Sequence, residues 1–152
     1  MSTSFMRLAN QGYEMTATLD TNLLLRLTLR DIPGQYEAVR DLLAVPGARY
    51  RVTDTVINEL VYALIHHYAF SRPQVAEIVR TILTDATIEA NAALLGRVIE
   101  QFEHHPAMSY TDCYLAEEAL ASGNVPLLTF DKKLAAQHVA ARLVLSGGVT
   151  PG

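Results

Sequence analysis

A single cysteine, Cys113, stands in the whole 152-residue sequence. One thiol closes no internal disulfide, and its setting in an apolar helical stretch suits a buried thiol of a reducing compartment rather than a nucleophile. Long apolar runs are missing as well. None nears the roughly 20 residues that a membrane helix needs, and the first ten residues lack the charged-then-apolar design of a secretory signal. A soluble, unexported, cytoplasmic protein is therefore expected. Basic charge is scarce: 12 Lys and Arg against 16 Asp and Glu leave a net charge of −4. That balance argues against a protein that coats nucleic acid electrostatically, while leaving room for a locally basic groove around an acidic centre. Paired Cys or His motifs with zinc spacing are absent, as are internal repeats and low-complexity tracts.

What is present is apolar material for one core. Half of the residues are hydrophobic and 18% charged, and this length fits one compact domain without room for a second. Residues 1–14 show no strong period and read as a flexible extension or a cloning remnant, residues 15–147 as the folded domain, and residues 148–152 as a flexible tail. Within the domain, short strands are expected at 16–20, 49–53, 86–90, 125–130 and 142–145. Between them lie helical patterns. Leu23-Leu24-Leu25 starts one, and Val39, Leu42 and Leu43 mark a second after the break at Pro33-Gly34. Val56, Leu60, Val61 and Leu64 define a third behind a Thr53 or Asp54 cap. Ser71, Asn91 and Ser109 can cap three more, Gly123 ends the last of these, and a short helix follows at 132–137. Strands alternating with helices imply a three-layer α/β/α sandwich with a central parallel sheet of about five strands, whose site forms at the strand carboxyl ends.

Four acidic residues fall where such a site would be. Asp20 and Asp131 follow the first and fourth strands, and Glu59 and Asp112 interrupt apolar helices early in their course. Clustered carboxylates repel one another and are costly to desolvate, a problem a divalent cation resolves. Oxygen-only ligands suit Mg²⁺ or Mn²⁺, which activate water and stabilise a pentacovalent phosphate. Each acid also has a plain structural role open to it. Asp20 and Asp131 can cap the following helices, Asp112 can offset a helix dipole, and Glu59 can be a solvated surface position. Only their joint placement favours function. Asn22 and Thr129 are secondary polar candidates beside the acids.

The segments Leu19-Asp-Thr-Asn-Leu-Leu-Leu-Arg26, Asn58-Glu-Leu60, Ser109-Tyr-Thr-Asp-Cys113 and Leu128-Thr-Phe-Asp-Lys132 resemble the successive motifs of PIN-domain proteins, and in length and motif style those of VapC-type toxins. The resemblance spans residues 15–145, and the order of the motifs makes it more specific than any one of them. It implies that Asp20, Glu59, Asp112 and Asp131 form the catalytic and metal-binding quartet, with Asn22 and Thr129 as polar neighbours. It further implies Mg²⁺- or Mn²⁺-dependent cleavage of RNA by an activated water that leaves a 5′-phosphate, a homodimer, and a cognate antitoxin. Among Arg26, Arg30, Arg72, Lys132 and Lys133, the first and fourth are the preferred phosphate contacts because they neighbour acidic motifs. His66-His67 and His104-His105 read as helix-end or surface residues, since adjacent histidines on a helix point apart. Tyr62, Leu64 and Tyr68 read as core or dimer-face positions. Two alternatives stand beside this reading. One is a non-toxin PIN nuclease of RNA processing. The other is a receiver-like Mg²⁺-binding module, which is disfavoured because residues 86–90 hold no aspartate to accept a phosphoryl group.

Overall fold

The computed structural model describes residues 16–145 and 148–149, so the extension expected at 1–14 lies outside the described residues. Strand β1 (Thr16–Thr18) runs parallel to β2 (Arg49–Arg51), and β2 runs parallel to β3 (Ile88–Glu89). Single backbone bonds prolong both pairings of this first ladder. Leu19 N–H donates to Arg51 O and Val52 N–H to Glu89 O, each at 2.9 Å, which carries β1 to the residue before Asp20. A second ladder joins β4 (Leu127–Thr129) in parallel to β5 (Ala141–Leu145), and Gly148–Val149 adds an antiparallel β6. Seven helices connect these strands among the described residues. They are α1 (Thr21–Leu29), α2 (Pro33–Leu43), α3 (Asp54–His66), α4 (Arg72–Thr84), α5 (Ala92–His104), α6 (Tyr110–Ser122) and α7 (Lys132–Gln137).

The single sheet of about five strands is thus corrected to two separate ladders of three. Strand character and parallel connection are properties of local pattern and crossover length, whereas the partner of an edge is chosen by tertiary approach. Here β1 and β4 are three residues each, and no hydrogen bonds join them among the described residues. The covering helix layer is also incomplete at β4, where Leu128 remains 51% and the following Phe130 78% exposed. β4 starts at Leu127 rather than Val125, since Pro126 has no N–H to donate to a ladder.

Helix starts follow side-chain chemistry. Thr53, Ser71 and Ser109 each accept a backbone N–H of the first turn, and Ser71 forms a full capping box with Gln74. Two helices begin earlier than their apolar pattern suggests. Asp20 caps α1 at Thr21 rather than at Leu23, and Pro33, expected only as a break, occupies the first turn of α2, where its missing N–H costs nothing. Gly123, with φ +74°, closes α6 in the left-handed conformation that glycine adopts without strain.

The core gathers Tyr50 and Val52 of the first ladder, Ile57, Leu60, Val61 and Leu64 of α3, Val75 and Val79 of α4, and Leu95, Val98, Ile99 and Phe102 of α5. Fully burying each of the larger side chains contributes about 1.5–3 kcal/mol. Arg72 is bound into this framework. Its guanidinium lies 3.8 Å from the Phe102 ring centroid and donates to Phe102 O, His105 O and Met108 O, closing the carbonyl end of α5. Among the described residues, no helix is long and apolar enough to cross a membrane.

Candidate active site

Asp20 ends the first ladder's edge strand and caps α1, its Oδ1 accepting from Thr21 N–H at 2.7 Å. Thr21 turns inward, only 7% exposed, and its hydroxyl donates to Glu59 Oε2 on α3 at 2.6 Å. One threonine therefore touches both carboxylates, its own bond to Glu59 spanning 38 positions of chain. The hydrogen bond to a charged acceptor is short and fixes the Glu59 carboxylate relative to the start of α1.

The helix of Asp112 is tied to that of Glu59 through the seam between α3 and α6. Thr111 Oγ1 donates to Asn58 Oδ1 at 2.8 Å, one residue from each acid, and Tyr114 OH donates to Asp54 Oδ2 at 2.6 Å one turn along. The Asp112 N–H is held by the Ser109 cap at 3.1 Å, while no side-chain partner holds its carboxylate among the described residues. The Asp54 hydrogen bond, followed by burial, pushes the Tyr114 hydroxyl up to about 12, so it stays a donor at neutral pH.

Asp131 stands in the second ladder's unit. Its Oδ1 accepts from Lys133 N–H at 2.9 Å and Leu134 N–H at 3.1 Å, capping α7, and Thr129 Oγ1 accepts from Asp131 N–H at 3.0 Å. The capping roles open to Asp20 and Asp131 in the sequence are both real. Each cap uses one carboxylate oxygen and leaves the other uncommitted, as does Glu59. None of the four acids forms an ion pair among the described residues, and no three His, Cys, Asp or Glu side chains there are grouped closely enough to cage a metal ion.

The supporting residues divide. Thr129 braces the backbone of Asp131, whereas Asn22 lines a separate cavity of about 300 Å³ between α1 and α2. Arg26 lines that same cavity and is paired with Asp31 at 2.8 Å, while Lys132 is exposed beside the fourth acid. Arg72 is committed to the end of α5 and so presents no free fork to a phosphate. His104 and His105 point their Nδ1 atoms at carbonyls four residues back, and His66 rests against the Tyr62 ring, in keeping with helix-end positions. Leu64 is core, while Tyr62 and Tyr68 are exposed. Cys113 is fully buried, and that burial pushes its thiol up to about 12, which removes it as a nucleophile.

Several contributors escape a reading of the sequence. Thr21, Asn58, Thr111, Asp54 and Tyr114 bond across 38, 53 and 60 residues of chain. The available signal was their position beside the acids in the same short motifs.

Fold and carboxylates together define an α/β protein in which Asp20 and Glu59 are linked through Thr21 where the first parallel strand ends and α1 begins. Over 121 residues, its sequence is 27% identical to a curated VapC ribonuclease of Aquifex aeolicus (strain VF5), the match covering 76% of this chain and 87% of that protein. No family model matches the chain.

Proposed function

We propose that this protein is a metal-dependent endoribonuclease of the PIN class, acting as the toxin of a VapBC-like pair. The observation that carries the reading is the Thr21 clamp, which fixes Asp20 and Glu59 side by side at the strand end while each keeps a carboxylate oxygen free. The similarity to a VapC ribonuclease over most of both chains supports it.

The donor set suits Mg²⁺ or Mn²⁺. It consists of carboxylates, exposed at Asp20, Glu59 and Asp131 and half-buried at Asp112, without an ion-paired Lys or Arg, and Mg²⁺ ordinarily takes only one or two carboxylates and fills its octahedron with water, so no ready-made cage of three ligands is required. Asp20 and Glu59, the pair that Thr21 joins, are the residues that would hold the ion, with Asp112 and Asp131 completing the quartet. When bound, such an ion supplies Lewis acidity toward a phosphoryl oxygen and a nearby water.

The chain's own groups do the rest. Thr21 restrains Glu59 so that its second oxygen is presented to solvent, where it orients a water and accepts its proton. Asp112, free of any ion pair, favours positive charge at the helix seam, and exposed Lys132 lies where a substrate phosphate would pass Asp131. RNA is the substrate in this reading, with a second copy of the chain and an antitoxin as partners.

The test is cleavage of total cellular RNA by the purified protein in Mg²⁺, in Mn²⁺ and in EDTA, beside Asp20→Asn to exclude a contaminant. Metal-dependent cutting lost in the variant is expected. Folded, antitoxin-free protein that cuts nothing with either metal refutes the reading.

A further inference from the structure

An open cavity of about 710 Å³ lies over the carboxyl ends of β2 and β3, lined among others by Arg51, Asp54, Glu89, Asn91 and Tyr114. None of the four acids lines it, but it shares α3 and α6 with Glu59 and Asp112. Arg51 is the register partner of Thr18, two residues before Asp20, and Tyr114 and Asp54 form the second rung of the seam that carries Asp112 and Glu59. Its volume exceeds what a single nucleotide needs, and small-molecule sites commonly occupy 300–1,000 Å³ at this end of a parallel sheet.

The lining divides into engaged and available groups. Both acids are occupied: Glu89 is paired with Arg49 at 2.8 Å, and Asp54 accepts the Tyr114 hydroxyl. The charge of Glu89 toward an incoming anion is thereby offset, and the Tyr114 side chain is anchored at its far end. Arg51 is exposed and has no ion pair or hydrogen bond from its guanidinium among the described residues. Asn91 stands at the N-cap of α5, yet with φ −77° and ψ 66° its side chain makes no capping bond, so its amide keeps two donors and an acceptor for another partner. A free guanidinium, a free carboxamide and an anchored aromatic side chain in one cavity match phosphate, base edge and base or sugar face in turn.

We infer that this cavity is a ribonucleotide subsite, Arg51 meeting a phosphate, Asn91 a base edge and Tyr114 forming the wall. The subsite rests on the nuclease reading above and places the nucleotide that flanks the scissile phosphate beside β2 and β3.

The experiment titrates the isotope-labelled 152-residue protein in EDTA with each of the four nucleoside 5′-monophosphates, to roughly 10 mM. Expected are NMR shifts concentrated on Thr55, Ala90 and the Asn91 side-chain amide, weakened in Arg51→Gln. In parallel, Asn91→Ala and Arg51→Gln, both at exposed positions and checked for an unchanged melting temperature, should raise KM for a short oligoribonucleotide about tenfold and keep kcat within about twofold. RNA cleavage by wild type with no localised shifts and unchanged KM in the variants overturns the subsite alone. Localised shifts without any RNA cleavage support nucleotide binding here and overturn the nuclease reading.

Discussion

Glu117 and His138 offer a test of the structure that needs no assumption about activity. Both are 6% exposed, Glu117 on α6 and His138 in the turn between α7 and β5. Ala140 N–H donates to His138 Nδ1 at 3.0 Å, so the ring proton resides on Nε2 and is donated to Glu117 Oε1, also at 3.0 Å. Arg97 Nε approaches the other carboxylate oxygen at 3.7 Å from a half-exposed position. This bond ties α6, whose first turn holds Asp112, to the segment after α7, which Asp131 caps. Glu117→Ala strands a buried imidazole N–H and opens a small void, together costing roughly 3 kcal/mol. For a chain of this size that lowers the melting temperature by about 6–12 °C. His138→Ala removes the acceptor of Ala140 N–H and leaves a buried carboxylate with one distant cation, costing about 3–5 kcal/mol. Arg97→Ala removes only a half-exposed partner 3.7 Å from the carboxylate, whose bond to His138 remains, at about 1 kcal/mol or less. Calorimetry at pH 7 on the three variants should show that ranking, and a double-mutant cycle should give a coupling above about 1 kcal/mol between Glu117 and His138. Glu117→Ala melting within about 2 °C of Arg97→Ala would refute the argument.

Three further outcomes follow from the site and the core. Thr21→Val, nearly isosteric, removes the hydroxyl that restrains Glu59 and should slow RNA cleavage about 10- to 100-fold for a stability loss near 1 kcal/mol, with Thr21→Ser restoring most of the rate; a wild-type rate in the valine variant would dismiss the clamp. Asp112→Asn keeps shape while losing charge and should reduce cleavage at least about a hundredfold with the fold intact, as read by steady-state kinetics beside circular dichroism. Cys113 ionises near about 8.5 in the unfolded chain but is held up to about 12 by burial in the folded one, so the unfolded chain sheds this proton first. Its stability contribution is complete below about pH 8.5 and is lost as pH rises toward about 12. Urea midpoints should fall more steeply over that window in wild type than in Cys113→Ala, and equal slopes would contradict the burial.

What could be read from the residues in order was local chemistry. The apolar stripe Val56, Leu60, Val61 and Leu64 specifies α3 because a 3.6-residue period puts these side chains on one face, and all four are buried. Ser71, Ser109 and Gly123 mark helix ends because their side chains or backbone freedom satisfy groups within one turn. The capping roles of Asp20 and Asp131 were legible as well, since each acid directly precedes its helix. Tertiary approach alone decided which edges pair, and so divided the expected sheet into two ladders. It also took Arg72 into the end of α5, turned Asn22 into the groove between α1 and α2, and set Thr21 against Glu59 and Glu117 against His138. The physical reason is range. Propensity, capping and periodicity act over about four residues along the chain, whereas these contacts join groups 21 to 38 positions apart and exist only once the core has brought their elements together.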